Sequence, residues 1–259
     1  MHRAMVLAIL WAAAAAGCQS AGVRPTSGDE RFFDMGYRAY QSGYWQAAND
    51  GFTDYLATNR DSPHRSEAYY YRGLARVRLN RRAEAVGDFS TATVSNPHPA
   101  IRSLAYAAMG NVYFEDGTDR QAIAAYNASL ANPADELQLG RVYLRLATSL
   151  QRTGDWAAAD GYLAWILKHE PNTPAGEEAA RRYRAGRFSI QTGAYASEAR
   201  AQQEAGRLRQ AGFQPEVDTV TQDRQSLHAV RVGRARTYGE AEALAQRVNQ
   251  AGFAAMVVP

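Results

Sequence analysis

Gln191 and Arg231 occupy matching places in a repeated pattern near the carboxyl end, Ile190-Gln191-Thr192-Gly193 and Val230-Arg231-Val232-Gly233. An amide donates and accepts hydrogen bonds, and a guanidinium presents a planar fork of donors that fits a carboxylate. The other reactive side chains are scattered. His64, His98 and His169 share no ligand spacing, and a single cysteine, Cys18, supports no CxxC, disulfide framework or zinc site. No nucleophile has a recognisable base partner, and no Gly-rich phosphate loop occurs. Glu177 and Glu178 open a predicted helix, where carboxylates complement the dipole without any catalysis. These residues point to binding rather than catalysis, with no metal and no cofactor.

The chain that must position them has 259 residues, 46% apolar and 21% charged, enough for two globular domains. Its net charge is only +3, so no polyanion partner is implied, and all the basic residues except Lys168 are arginine. After Met-His-Arg, residues 4–17 are apolar. As a helix they would rise about 21 Å, short of a membrane span, so residues 1–17 read as a secretory signal. Ala15-Ala16-Gly17-Cys18 resembles the bacterial lipobox, although Ala15 stands where that family usually has Leu. The resemblance implies a diacylglyceryl group on the Cys18 thiol, and two acyl chains suffice for stable anchoring. Gln19, where enteric lipoproteins held at the inner membrane tend to carry Asp, favours the outer membrane. Residues 18–29 then form a lipidated, polar tether, and the expected location is the periplasm.

The middle of the chain repeats every 37 residues: Gly36, Gly73, Gly110 and Ala147 keep the step. So do Ala48, Ala85, Ala122 and Ala159, and so do Phe52, Phe89, Tyr126 and Leu163. Phe32, Tyr69, Tyr106 and Tyr143 complete an aromatic–small pair four residues apart, on one helix face. Turn residues Gly43, Asn80, Gly117 and Gly154 divide each unit into two helices, and Pro63, Pro97, Pro133 and Pro171 close it. A hairpin of this kind cannot bury its apolar face alone, so the units stack as a solenoid.

This pattern resembles the tetratricopeptide repeat (TPR) family over residues 30–186, with four repeats and a capping helix near 174–184. The resemblance implies a concave groove for a protein or peptide partner. By phase, its candidates are Phe33, Tyr37, Tyr40, Tyr70, Leu74, Asn111, Phe114, Leu144 and Gln151. Residues 30–186 balance 18 basic against 18 acidic groups, so aromatic area rather than charge would attract the partner.

From Phe188 the period changes to two, and the order strand–helix–strand–strand–helix–strand follows. This predicts a small α+β ferredoxin-like domain over 187–259, so the whole is a multidomain chain, all-α and then α+β. Its halves match at an offset of 40, Gln210-Ala-Gly-Phe213 on Gln250-Ala-Gly-Phe253 among others. Ile190-Gln191-Thr192-Gly193-Ala194-Tyr195 resembles the hallmark strand of the SPOR family of bacterial cell-envelope domains. The resemblance implies binding of septal glycan strands stripped of stem peptides, on the sheet face that the helices leave uncovered. Alternation puts Ser189, Gln191, Leu227, Ala229 and Arg231 there, with Val217 and Val257 beside them. Stem-peptide removal exposes a lactyl carboxylate for Arg231, while Gln191 suits acetamido groups and hydroxyls. Ala194 and Ala229 stand where the family often has Ser and Arg.

The leading expectation is a cell-envelope lipoprotein that binds denuded glycan and recruits a partner through its repeats, in division or wall remodelling. The alternative is a structural component of an outer-membrane or secretion assembly, with the small domain used for oligomerisation. Nucleic-acid binding is not expected, because the central strands carry no exposed aromatics for stacking.

Overall fold

A computed structural model describes residues 31–95, 97–222 and 225–259. The signal segment, Cys18 and the tether lie outside the described residues. The helical part comprises α1 (Arg31–Gln41), α2 (Trp45–Thr58), α3 (Arg65–Arg78), α4 (Arg82–Val94), α5 (Pro99–Glu115), α6 (Asp119–Leu130), α7 (Leu139–Arg152), α8 (Trp156–His169) and α9 (Pro174–Arg182). They pack as successive antiparallel hairpins, each against the next. The four within-hairpin turns pass through a left-handed residue, at Gly43, Asn80, Gly117 and Gly154, as the repeated turn residues predict.

The 37-residue period has a steric cause. A methyl group on Gly73 would stand 2.6 Å from the Phe89 ring, and one on Gly110 would stand 2.7 Å from the Tyr126 ring. The small residue of the first helix is thus the seat for the aromatic ring of the second. In the last hairpin both partners change together: Ala147 replaces the glycine and Leu163 the aromatic, and both are fully buried. A branched aliphatic leaves room for the methyl that a ring would exclude.

An ion cluster crosses the seam between α2, α3 and α4. Asp88, 4% exposed, accepts from Arg72 at 2.7 and 3.0 Å and from Arg76 at 2.7 Å. Arg76 also donates to Asn49 on α2 at 3.1 Å. Buried charges need partners of this kind, and here they tie three helices together.

The second part is β1 (Phe188–Tyr195), α10 (Glu198–Gln210), β2 (Pro215–Gln222), β3 (Gln225–Ala235), α11 (Tyr238–Gln250) and β4 (Met256–Val258). The strands form one antiparallel sheet in the order β2-β3-β1-β4. Both helices pack against strands of the sheet, and Phe188, Ile190, Val230, Val232, Ala205, Leu208 and Val248 share one core with them. α11 starts with a capping box, Thr237 with Glu240.

The sheet is docked on the solenoid. Trp156, at the first turn of α8, packs on Phe188 with ring centroids 4.8 Å apart, and Phe188 meets Tyr238 at 5.7 Å. The Arg152 guanidinium lies 5.3 Å from the Tyr238 ring centroid, and the backbone N–H of Arg184 donates to Asp160 at 2.9 Å. Trp156 is 9% exposed and belongs to the core of the C-terminal part.

Among the described residues, no helix is long and apolar enough to cross a membrane.

Candidate functional site

Cross-strand register assigns the two sheet faces, because directly paired residues point the same way. Ile190 pairs with Val232 and Val217 with Val230, all on the helix-covered side. Gln191 pairs with Arg231 on one side and with Met256 on the other, and Glu216 pairs with Arg231. Ser189 pairs with Val258, and Ala229 with both Ala194 and Asp218. These residues and Leu227 face away from the helices.

Two sequence expectations are corrected by this register. Val257 pairs with Ile190 and packs into the helix-side core, and Val217 does the same opposite Val230. The alternation within β4 was assigned one residue out of phase, since a three-residue strand offers too short a pattern to set its own register. Its open-face residues are Met256, 55% exposed, and Val258. The strand also breaks its alternation at Thr192. A register shift there lets Gly193 and Tyr195 face the helices, while Thr192 is buried at the irregularity and its hydroxyl donates to the Val230 carbonyl at 3.4 Å.

The open face therefore has a polar centre. The Arg231 side chain is 29% exposed, its Nη1 lies 4.0 Å from Asp218, and its Nε is buried without a hydrogen-bond partner. A buried N–H left unpaired is costly, and the solvent-facing part of the guanidinium is what an acceptor can reach. Ala229, expected in the glycan site, is fully buried and offers no surface to a ligand, while Ala194, Met256 and Leu227 supply apolar area. Ser189 is nearly buried at 8% exposure and contributes little surface. Glu216, opposite Arg231, binds Arg234 at 2.8 Å. On the helix side, burial first and then the Glu204 carboxylate push the Tyr195 phenol up.

The solenoid candidates divide. Phe33 is 5% exposed in the α1–α2 core, edge-on to Phe52 and Tyr55, and Gln151 is fully buried. Neither lines a groove. Gln151 anchors the capping helix instead: its Nε2 donates to the Arg182 carbonyl at 3.1 Å and its Oε1 accepts from the Arg182 guanidinium at 3.2 Å. Helical phase alone cannot separate a groove face from a face that the next helix covers.

Tyr37, Tyr40, Tyr70, Leu74, Asn111, Phe114 and Leu144 are partly exposed on the first helices of their hairpins. Tyr37 and Tyr40 contact Tyr71 at 5.0 and 5.4 Å. Phe114 lies between the guanidiniums of Arg145 and Arg152, at 5.1 and 4.7 Å, and Asn111 accepts from Tyr126 and Arg145, each at 2.9 Å. Sequence reasoning missed Tyr71, Arg145 and Arg152, though all three fall on the same first helices. Burial, opposed only partly by Arg145, pushes the Tyr126 phenol up to about 12.

Residues 184–259 match the SPOR domain family. A comparison with curated proteins finds no match. Among solved structures, a tetratricopeptide repeat protein from Parabacteroides merdae superimposes with a TM-score of 0.52 at 14% identity, over 60% of this chain and 58% of that one. Pseudomonas aeruginosa pilF gives 0.50 at 15% identity, over 58% and 64%. The peptidoglycan-binding domain of the Bacillus subtilis cell wall lytic enzyme CwlC gives 0.24 at 31% identity, over 27% of this chain and 85% of that domain. The matched region spans less than two thirds of the length of the first two structures.

The chain thus joins a tetratricopeptide-like helical solenoid to a C-terminal SPOR domain.

Proposed function

We propose that this chain is a periplasmic lipoprotein, acylated at Cys18 and held at the outer membrane, that binds denuded septal glycan through its open sheet face. The solenoid then presents its concave side to a protein partner, in cell division or wall remodelling. The observation that carries the glycan reading is the partly exposed Arg231 guanidinium, with its nearest carboxylate only at 4.0 Å, beside Gln191 on the sheet face away from the helices. A lactyl carboxylate, exposed when the stem peptide is removed, can pair with the exposed part of the Arg231 guanidinium, and the Gln191 amide complements acetamido groups. Met256 and Leu227 can lie against sugar faces.

The test is retention of the whole chain on purified sacculi before and after amidase treatment. Greater retention after treatment is expected, and Gln191→Ala with Arg231→Ala lowers it about tenfold or more, as for lost hydrogen bonds to a charged group. Equal retention on both sacculi removes the denuded-glycan claim. A fluorescent fusion forming a midcell band that vanishes in the double variant supports a role in division, and a uniform peripheral signal counts against it.

A further inference from the structure

Where the SPOR domain meets the solenoid there is a cleft of about 490 Å³, lined among others by Trp156, Asp155, Arg187, Arg234 and Arg236. Neither the repeats nor the SPOR domain alone would build it, since α8 supplies one wall and the ends of β1 and β3 the other. The docking that forms it is specific. The Trp156 indole N–H donates to the Arg236 carbonyl at 2.8 Å, and Gly154 approaches Thr237 and Arg236 closely.

Arginine is the commonest charged residue in the lining of this cleft. Three arginines and one aspartate are among its lining residues, and that aspartate, Asp155, caps α8 by accepting from the Ala158 N–H at 3.1 Å. Glu216 approaches from the sheet and binds Arg234 at 2.8 Å, with Arg187 at 3.9 Å. Among the described residues, the exposed Arg236 side chain has no ion-pair partner. With Glu216, and with Glu240 accepting from the Arg236 backbone N–H at 2.8 Å, the acidic and basic groups about the cleft balance, and Arg236 is the arginine left without an ion pair.

Glu216 links the cleft to the open sheet face. Glu216 is the direct β2 partner of Arg231 and at the same time the partner of Arg234. Arg234 follows Arg231 by three residues on β3, with Gly233 between them in the left-handed region at φ 75°. A polymer bound over Arg231 and running along β3 therefore arrives at Arg234 and Arg236.

We propose that this interdomain cleft is a second carboxylate subsite for the same glycan strand, in which Arg236 pairs with a lactyl carboxylate further along the polymer. The inference rests on the glycan reading of the sheet face and adds that the solenoid takes part in ligand binding. A fork-shaped guanidinium in a partly walled cleft suits a carboxylate better than a hydroxyl, and two cationic subsites on one strand raise affinity through effective concentration. They also select glycan with successive bare muramic acids over glycan with a single one.

The test is calorimetric titration of the whole chain, wild type and Arg236→Ala, with denuded glycan oligosaccharides and with the same oligosaccharides after chemical amidation of their carboxylates. Arg236→Ala is expected to weaken binding of the acidic oligosaccharide about tenfold and to leave binding of the amidated one unchanged. Inorganic phosphate in a third arm should not compete at concentrations matched to the sugar, and competition would reassign the cleft to a phosphate ligand. Because Arg236 is exposed and only its backbone carbonyl holds Trp156, an unchanged melting temperature shows that the variant is folded. Arg187→Ala serves as a second variant should it not be. Equal affinity of wild type and Arg236→Ala for the acidic oligosaccharide, with Arg231→Ala still impaired, overturns the cleft proposal alone. Absence of binding by the wild type overturns the sheet-face reading and this inference together.

Discussion

The indole nitrogen of Trp156 donates a 2.8 Å hydrogen bond to the backbone carbonyl of Arg236, across 80 residues of sequence. One residue sits at the start of α8, the second helix of the last solenoid hairpin, and the other in the turn between β3 and α11, so this bond and the Trp156–Phe188 ring contact hold the two modules together. Trp156→Ala should destabilise the protein by about 3 kcal/mol, the usual range for a buried large aromatic. It should also open the chain to protease between α9 and β1. Trp156→Phe keeps most of the ring and should lose only about 1 kcal/mol, the worth of the bond. Wild-type melting and an unchanged digestion pattern for Trp156→Ala would mean that this contact does not hold the modules.

The hairpin seats predict a compensating pair. Gly73→Ala places a methyl within 2.6 Å of the Phe89 ring and should cost about 1–3 kcal/mol by overpacking. Adding Phe89→Leu reproduces the Ala147–Leu163 arrangement of the last hairpin. A denaturant double-mutant cycle should show favourable coupling between the two changes. Simple additivity would mean that the period is kept for some reason other than this fit.

Neighbouring residues of β4 should fail in opposite ways. Val257→Ala removes apolar area from the helix-side core and should lower stability by about 1–2 kcal/mol, with little effect on retention by denuded sacculi. Met256→Ala, on the exposed face, should leave the melting temperature within a degree or so of wild type and weaken retention about two- to threefold. The reverse assignment of effects would invert the face proposed for binding.

Acid should weaken the capping helix first. Burial raises the Glu178 pKa, but the Arg182 charge and hydrogen bonds from Arg181 and Arg182 more than offset it, and the net shift is downward from 4.5. A carboxylate whose folded pKa is depressed stabilises the fold above its unfolded value and loses that contribution as pH falls through the folded one. Amide exchange in α9 should accelerate as pH drops below about 4.5 relative to exchange in α5, after correction for intrinsic rates. Glu178→Gln should remove the difference. An acid response of α9 that persists in that variant would point to another carboxylate.

Much of this architecture is legible in the chain itself. The 37-residue step is visible because each hairpin solves the same packing problem, and a ring against a glycine leaves its mark on residue type. The left-handed turns at Gly43, Asn80, Gly117 and Gly154 are legible because few residues accept that backbone. The amide and guanidinium of the sheet face are legible because a long strand alternates, and because the domain states its pattern twice.

What periodicity could not supply was decided by contacts between elements distant in sequence. Phe33 and Gln151 have the phase of groove residues, yet neighbouring helices cover them. Val257 has the character of a face residue, yet its pairing with Ile190 turns it inward. The cleft between the modules has no local signature at all, because Trp156, Arg187 and Arg236 acquire a common environment only when α8 docks on the sheet. Local pattern sets which side of its own helix or strand a residue occupies. Only the packing of one element on another determines whether that side meets solvent, a ligand or the core.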